Sequence, residues 1–228
     1  MAGETRRLDD RPLLHDHPIA FRLSLLLWIL GGAVYVALAV PVSSSSIQSI
    51  DDWFHELAIR WENGLVVAIA KVLDFVGSTW VTAPIIVAVG LFLLLRRRRE
   101  ALWFWIAAMT ASQLLIGPVK ELYERARPSL PLVETSGFSF PSGHATAGAA
   151  IAISLVIVLV PAGPRRRNLE MLAAAFAVVM AMSRVYLRAH WLSDVVAGAA
   201  LGAAVAIAAA VLIHTIDERR SANRSAPA

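Results

Sequence analysis

Apolar residues fall along the chain in six long stretches, at 21–40, 80–95, 101–119, 145–160, 171–187 and 191–213. A helix that crosses a bilayer needs about 20 mostly apolar residues. The pattern therefore predicts an all-α fold, a polytopic membrane helix bundle with six transmembrane helices. The stretches at 80–95 and 145–160 are short, and their helices are expected to extend past these limits. Residues 64–77 are apolar too, but Lys71 and Asp74 interrupt them, so this segment reads as interfacial or partly inserted. Residues 47–61 carry apolar positions at helical spacing among acidic ones, which predicts an amphipathic helix lying on the membrane in the first outward loop. The segments 1–20 and 215–228 are rich in Arg, Asp, Ser and Ala and read as disordered tails, leaving one six-span domain at 21–214. No internal repeat is visible. Ala37-Leu38-Ala39 has the small-x-small form of a signal-peptidase site, but the apolar core before it is long for a signal peptide, so the first span reads as uncleaved.

Composition agrees with the membrane reading. Hydrophobic residues make up 57% of the chain, against about 45–50% in a soluble domain, and the mean hydropathy is +0.63. There is no cysteine, which excludes a disulfide, a thiol nucleophile and a thiolate metal site. The formal net charge is +4. Arginines beside anionic lipid account for that excess without nucleic acid. Arg96 to Arg99 separate the second and third spans, Arg165 to Arg167 separate the fourth and fifth, and further arginines lie in both tails. The positive-inside rule places these segments and both termini in the cytoplasm. Loops 41–79, 120–144 and 188–190 then face outward. The expected location is a bacterial cell membrane, with the site on its extracytoplasmic side.

That outward face collects the ionisable residues. Lys120 ends the third stretch and Arg127-Pro128 follows; Ser142, Gly143 and His144 open the fourth; Ser183 and Arg184 lie near the end of the fifth; Arg188, His190 and Asp194 surround the last turn. Lys120 is one of two lysines, with Lys71, among 21 basic residues. Asp194 lies inside an apolar stretch, where a charge is costly and is paired or functional. His190 and Asp194 are spaced i, i+4, so a carboxylate can fix one ring nitrogen and leave the other as nucleophile or base. The same spacing also suits an interfacial or capping pair. Lys120, Arg127 and Arg184 would repel one another without a counter-ion, so they call for an anion with several oxygens, and arginine forks suit phosphate. Ser142 can cap the fourth helix, Gly143 lets the backbone come close, and the free amides at the helix mouth add a second kind of anion site. His144 beside that cradle can give a proton to a leaving oxygen. A metal site built from His144, His190 and Asp194 is disfavoured by the three cations and the shortage of carboxylates.

In these residues the sequence resembles the type 2 phosphatidic acid phosphatase superfamily. Lys120 with Arg127-Pro128 is similar to its first motif, Pro141-Ser142-Gly143-His144 to its second, and Ser183-Arg184 with His190 and Asp194 to its third. The resemblance implies a metal-independent phosphatase with no cofactor. His190, oriented by Asp194, would attack phosphorus to give a phosphohistidine. His144 would protonate the leaving group and then activate water. Lys120, Arg127, Arg184, Ser142 and the amides of Gly143 and His144 would hold the phosphoryl oxygens. The family also includes soluble vanadium-dependent haloperoxidases, whose chains are much longer. Arg188 lies outside the signature and could meet either a second phosphate or a lipid headgroup. Trp53, Trp61, Trp80, Tyr186 and Trp191 fit an interfacial belt.

The expected function is an integral-membrane lipid phosphatase whose partners are a lipid phosphate substrate and membrane lipids. By analogy with small six-span members, the first choice of substrate is undecaprenyl (polyprenyl) diphosphate, cleaved to the monophosphate. The alternative is a phosphatidylglycerophosphate or phosphatidate phosphatase. A non-catalytic phospholipid-binding or transport protein would not need a nucleophile and an acid.

Overall fold

The computed structural model describes residues 17–161 and 163–225. Among them are eight helices and no strand: α1 (His17–Ala39), α2 (Pro41–Arg60), α3 (Gly64–Gly77), α4 (Thr79–Leu95), α5 (Arg99–Tyr123), α6 (Gly143–Leu159), α7 (Pro164–Tyr186) and α8 (Leu192–Ser225). By length and composition α1, α5, α7 and α8 can each cross a membrane, and α3 with α4 makes a fifth candidate bent by 45° at Ser78. The apolar helix α6 has 17 residues, a little short of the usual span.

Residues 64–77, read as interfacial or partly inserted, form α3, which runs into α4 and packs along α7, with its end against α6. Two expectations change. The helix expected over 47–61 starts earlier, at Pro41. Residues 17–20 and 215–225, assigned to the tails by composition, belong to α1 and α8. The rest of those tails, 1–16 and 226–228, lies outside the described residues.

The centre of the bundle is α8, which packs against α1, α5, α6 and α7. Its sequence explains why. Ala197, Ala200, Ala204, Ala206 and Ala210 are buried, and small side chains let backbones approach closely. Gly198 and Gly202 form a G-x-x-x-G pair that faces α6. A Cβ on Gly198 would sit 2.7 Å from the Ser142 carbonyl oxygen, and one on Gly202 would sit 2.1 Å from that of Thr146. The remaining core joins α4, α5, α6 and α8 through Leu93, Phe104, Trp105, Ile157, Val158 and Ala210. Two polar side chains inside the bundle bond across helices. Ser24 Oγ donates to Ala204 O (3.1 Å) and Trp105 Nε1 to Ile86 O (3.0 Å).

The helix ends set the level of the site. Glu124, in the left-handed region with φ 42°, ends α5. The chain then runs irregularly from 124 to 142 before α6 begins, a length that usually signals function. This loop is tied to α7 by Leu132 N to Leu187 O (3.0 Å) and to α8 by Ser142 N to Asp194 O (3.1 Å). On the other side, Tyr186 OH donates to Trp61 O (3.0 Å) and accepts from Asn63 N (2.8 Å), fastening the α2–α3 turn to the end of α7. The Asn63 side chain accepts from Leu65 N and Val66 N, which starts α3 at that point.

Candidate active site

The site lies where the 124–142 loop, the mouth of α6, the end of α7 and the start of α8 meet. Asp194 is fully buried and its carboxylate accepts three hydrogen bonds. Oδ1 accepts from Arg125 Nη1 (2.7 Å); Oδ2 accepts from Ser139 Oγ and from Trp191 N (2.9 Å). The bond to Trp191 N also closes the first turn of α8, so the capping and functional readings of this residue hold together. His190 stands in the turn before α8, so the pair with Asp194 forms across the helix entry rather than along one helical face. His190 Nδ1 is 3.4 Å from Asp194 Oδ2.

The opposite ring nitrogen, His190 Nε2, faces Arg127 Nη1 at 3.2 Å. A guanidinium can only donate, so Nε2 accepts and the ring proton belongs on Nδ1, toward Asp194. Burial pushes the His190 pKa down from 6.5 to about 4, against the pull of Asp194. A neutral imidazole with a free Nε2 lone pair has the form required of a nucleophile.

Arg127 is held by the loop around it. Nε donates to Gly137 O (2.9 Å), Nη1 to Ala189 O (2.7 Å), and Nη2 to Ser136 O (2.8 Å) and Phe138 O (3.2 Å). Lys120 Nζ also donates to Phe138 O, at 2.7 Å. These two cations therefore converge on one carbonyl. The backbone oxygen of Arg184 accepts from Ala189 N (3.0 Å) and His190 N (3.3 Å), placing the third cation below the same turn. Ser142 is buried and its Oγ caps α6 by accepting from Ala145 N (3.4 Å). Gly143 and His144 occupy the opening turn of α6, where backbone amides have no acceptor within the helix. A Cβ on Gly143 would meet open space.

The structure thus joins Lys120, Arg127, His190, Asp194 and Ser142 in one run of contacts. It sets His144 and Arg184 on a second centre that was not expected, Asp74 of α3. Arg184 Nη1 donates to Asp74 Oδ1, and His144 Nε2 lies 3.2 Å from the same oxygen and 3.1 Å from Asp74 O. Arg125 was missed as well. It bridges Asp194 to Asp51 of α2 (Nη2 to Oδ2, 2.6 Å), and Asp51 in turn accepts from Ser193 N (2.8 Å) and Ser193 Oγ (2.6 Å). A charged residue two places before the Arg127-Pro128 pair was the signal available for it. Arg188 pairs with Glu62 at 3.0 Å and is buried. Among the described residues no three His, Asp or Glu side chains are grouped to hold a metal ion. Beside Ser183, a cavity of about 390 Å³ opens between α2, α3 and α7, lined by Phe54, Leu57, Ile69, Leu73, Val179 and Met182 among others.

Comparisons with known proteins converge on one family. The family model described as "PAP2 superfamily" matches residues 101–218, just over half of the chain. The chain is 28% identical over 173 residues to Phosphatidylglycerophosphatase B of Bacillus subtilis, covering 74% of this chain and 85% of that one. It is 33% identical over 153 residues to the decaprenylphosphoryl-5-phosphoribose phosphatase of Mycobacterium tuberculosis, covering 61% and 76%. The crystal structure of a transmembrane PAP2-type phosphatidylglycerolphosphate phosphatase from Bacillus subtilis superimposes with a TM-score of 0.71 at 28% identity, over 86% of this chain and 96% of that one. LpxE of Aquifex aeolicus shares the fold, with a TM-score of 0.56 at 21% identity over 68% and 91%.

Proposed function

The chain belongs to the PAP2 superfamily and is a multi-pass membrane phosphatase of that type; from this premise we propose that it hydrolyses a lipid phosphate at the extracytoplasmic face through a phosphohistidine on His190. The observation that carries the reading is the state of His190: buried, neutral, its Nδ1 toward Asp194 and its Nε2 presented to Arg127.

In the first step His190 Nε2 forms a bond to phosphorus and the bond from phosphorus to the leaving oxygen breaks. His144 gives that oxygen a proton. In the second step water attacks phosphorus, His144 takes its proton, and the N–P bond breaks to release inorganic phosphate. Asp194 balances the charge that develops on the His190 ring. Arg127 exchanges its Nη1 contact with Nε2 for a phosphoryl oxygen. Arg184, Lys120 and the amides of Gly143 and His144 take the others, with Ser142 holding the helix mouth in place. Donors fixed in this way typically contribute ~2.7–4 kcal/mol each when removed singly. With this much protein cation at the site the reaction needs no metal. Activity should persist in EDTA and be inhibited by vanadate, which mimics five-coordinate phosphorus; activity that vanishes in EDTA and returns with magnesium would overturn the mechanism.

The same reading makes α6 the sixth span and residues 21–214 the phosphatase domain. Both tails lie in the cytoplasm, and α2 lies along the outer surface of a bacterial cell membrane. The cavity between α2, α3 and α7 takes the substrate's hydrocarbon chain, because it is apolar and borders Ser183, next to Arg184. For the headgroup, the Bacillus relative is named for phosphatidylglycerophosphate and the mycobacterial one for decaprenylphosphoryl-5-phosphoribose. Both names describe a phosphate on a polyol carried by a lipid, and we take that class as the substrate. The first choice from sequence, a polyprenyl diphosphate, is favoured in its tail alone by the decaprenyl carrier in the mycobacterial name. Phosphate release by the purified enzyme across phosphatidylglycerophosphate, phosphatidate, undecaprenyl diphosphate and a sphingoid phosphate tests the choice. The highest kcat/KM should fall on phosphatidylglycerophosphate; a preference for undecaprenyl diphosphate would restore the first choice.

A further inference from the structure

Asp74 is a charged residue at the site for which the proposed reaction has no use. Its carboxylate accepts from Arg184, a phosphoryl ligand in the proposal, and lies 3.2 Å from Nε2 of His144, the proposed acid. The contact is built in. One turn further along α3, Gly77 lies against the His144 ring so closely that a Cβ there would be 2.6 Å from Cδ2. The Asp74 side chain is also open, 28% exposed against 0% for Asp194, so it can face a ligand.

The consequence concerns the leaving group. A leaving oxygen must come within about 2.6–3.2 Å of the acid that protonates it. An oxygen that close to His144 Nε2 lies within about 6 Å of the Asp74 carboxylate, since both share that nitrogen. Once the phosphoryl group has taken over Arg184 and His144 has given up its proton, Asp74 has lost both of its cationic partners and its charge faces whatever departs. A polyol leaves as a neutral alcohol, and its remaining hydroxyls can donate to the carboxylate. A diphosphate leaves as a lipid phosphate, which keeps negative charge even after protonation and is repelled.

We propose that Asp74 is a specificity-determining residue that selects phosphate monoesters of lipid-borne polyols, such as glycerol or a pentose, over lipid diphosphates. The inference rests on the reading above that His144 protonates the leaving group.

The test uses the purified full-length enzyme and two substrates, phosphatidylglycerophosphate and undecaprenyl diphosphate. Asp74→Asn keeps an oxygen for Arg184 and His144 but removes the charge. It should raise the ratio of kcat/KM for the diphosphate over the monoester by about tenfold or more, the size of effect expected of like charges about 6 Å apart in a partly screened site. Asp74→Glu, which retains the charge, should stay near the wild-type ratio. A ratio that is unchanged or lower in Asp74→Asn overturns the assignment. A role in folding alone would lower both activities and leave the ratio where it was; a role in supporting the His144 acid alone would raise the ratio by slowing the monoester, whereas the assignment requires kcat/KM for the diphosphate itself to rise. Should Asp74→Asn fail to fold, Asp74→Ser carries the same prediction. His144→Ala separates the two claims: it should lower kcat/KM far more for the monoester than for the diphosphate. Equal losses overturn the reading of His144 as the acid; the selective loss with an unmoved Asp74→Asn ratio overturns the role of Asp74 alone.

Discussion

Arg127 uses all five of its N–H groups inside the protein, four on carbonyls and one on His190 Nε2. It is therefore both the anchor of the 136–138 loop and the donor nearest Nε2 of His190, the proposed nucleophile. Lysine has three donors and no planar fork, so Arg127→Lys should lose both functions. Phosphate-release assays should find kcat/KM down by about 100-fold or more. His190 sets the pH behaviour. With a pKa of about 4 it remains neutral through the range in which an ordinary histidine, near 6.5, takes a proton. The profile of kcat/KM should be bell-shaped, with its acid limb below about pH 5 and its alkaline limb set by loss of the His144 proton. An acid limb near pH 6.5 would count against the buried neutral nucleophile. The same depression has a stability consequence of definite sign. The unfolded chain binds the His190 proton first, so the contribution of this residue is complete above about 6.5 and is lost as pH falls toward about 4. Most of these residues were legible in the sequence because each signature residue is a costly charge beside an apolar stretch. Asp74 was not. In a single sequence it looks like an interruption of a weak apolar segment, and its partners lie 70 and 110 positions away.

At the scale of elements, the helices were readable from hydrophobic runs because a span must hide its backbone within itself. Their joints were less so. The docking of α2 and the placing of α3 rest on ion pairs between residues far apart in the sequence. Arg125 is the principal joint, tying the loop at once to Asp194 and to Asp51 of α2, both almost wholly buried. Arg125→Ala should strand two carboxylates, at a cost of about 3–5 kcal/mol. Thermal unfolding in detergent should report it, while Asp51→Asn should cost less because the Ser193 contacts can remain. The α6–α8 joint makes a separate prediction. Gly202 has no space for a Cβ against Thr146 O, so Gly202→Val should push α8 away from the helix that carries Ser142 and His144. About 1–3 kcal/mol of stability should be lost, with a larger fractional loss of activity than of folded protein.

For the whole molecule, the arginine-rich corner between α4 and α5 and the 124–142 loop should lie on opposite sides of the membrane. Arg98 fixes that corner by donating to Val158 O at the far end of α6 from His144. The chain has no native cysteine, so single cysteines report sidedness cleanly. Ser136→Cys should react with an impermeant maleimide on intact cells, and Arg99→Cys should react after permeabilisation alone; the reverse pattern would invert the topology. The central claim is that this bundle exists to present one neutral histidine to a phosphoryl group. Rapid-quench trapping of an acid-labile phosphoenzyme tests it most directly, with labelled substrate whose leaving group needs no proton. The account predicts a phosphohistidine in the wild type and in His144→Ala, and none in His190→Ala. A phosphohistidine trapped in His190→Ala would contradict it.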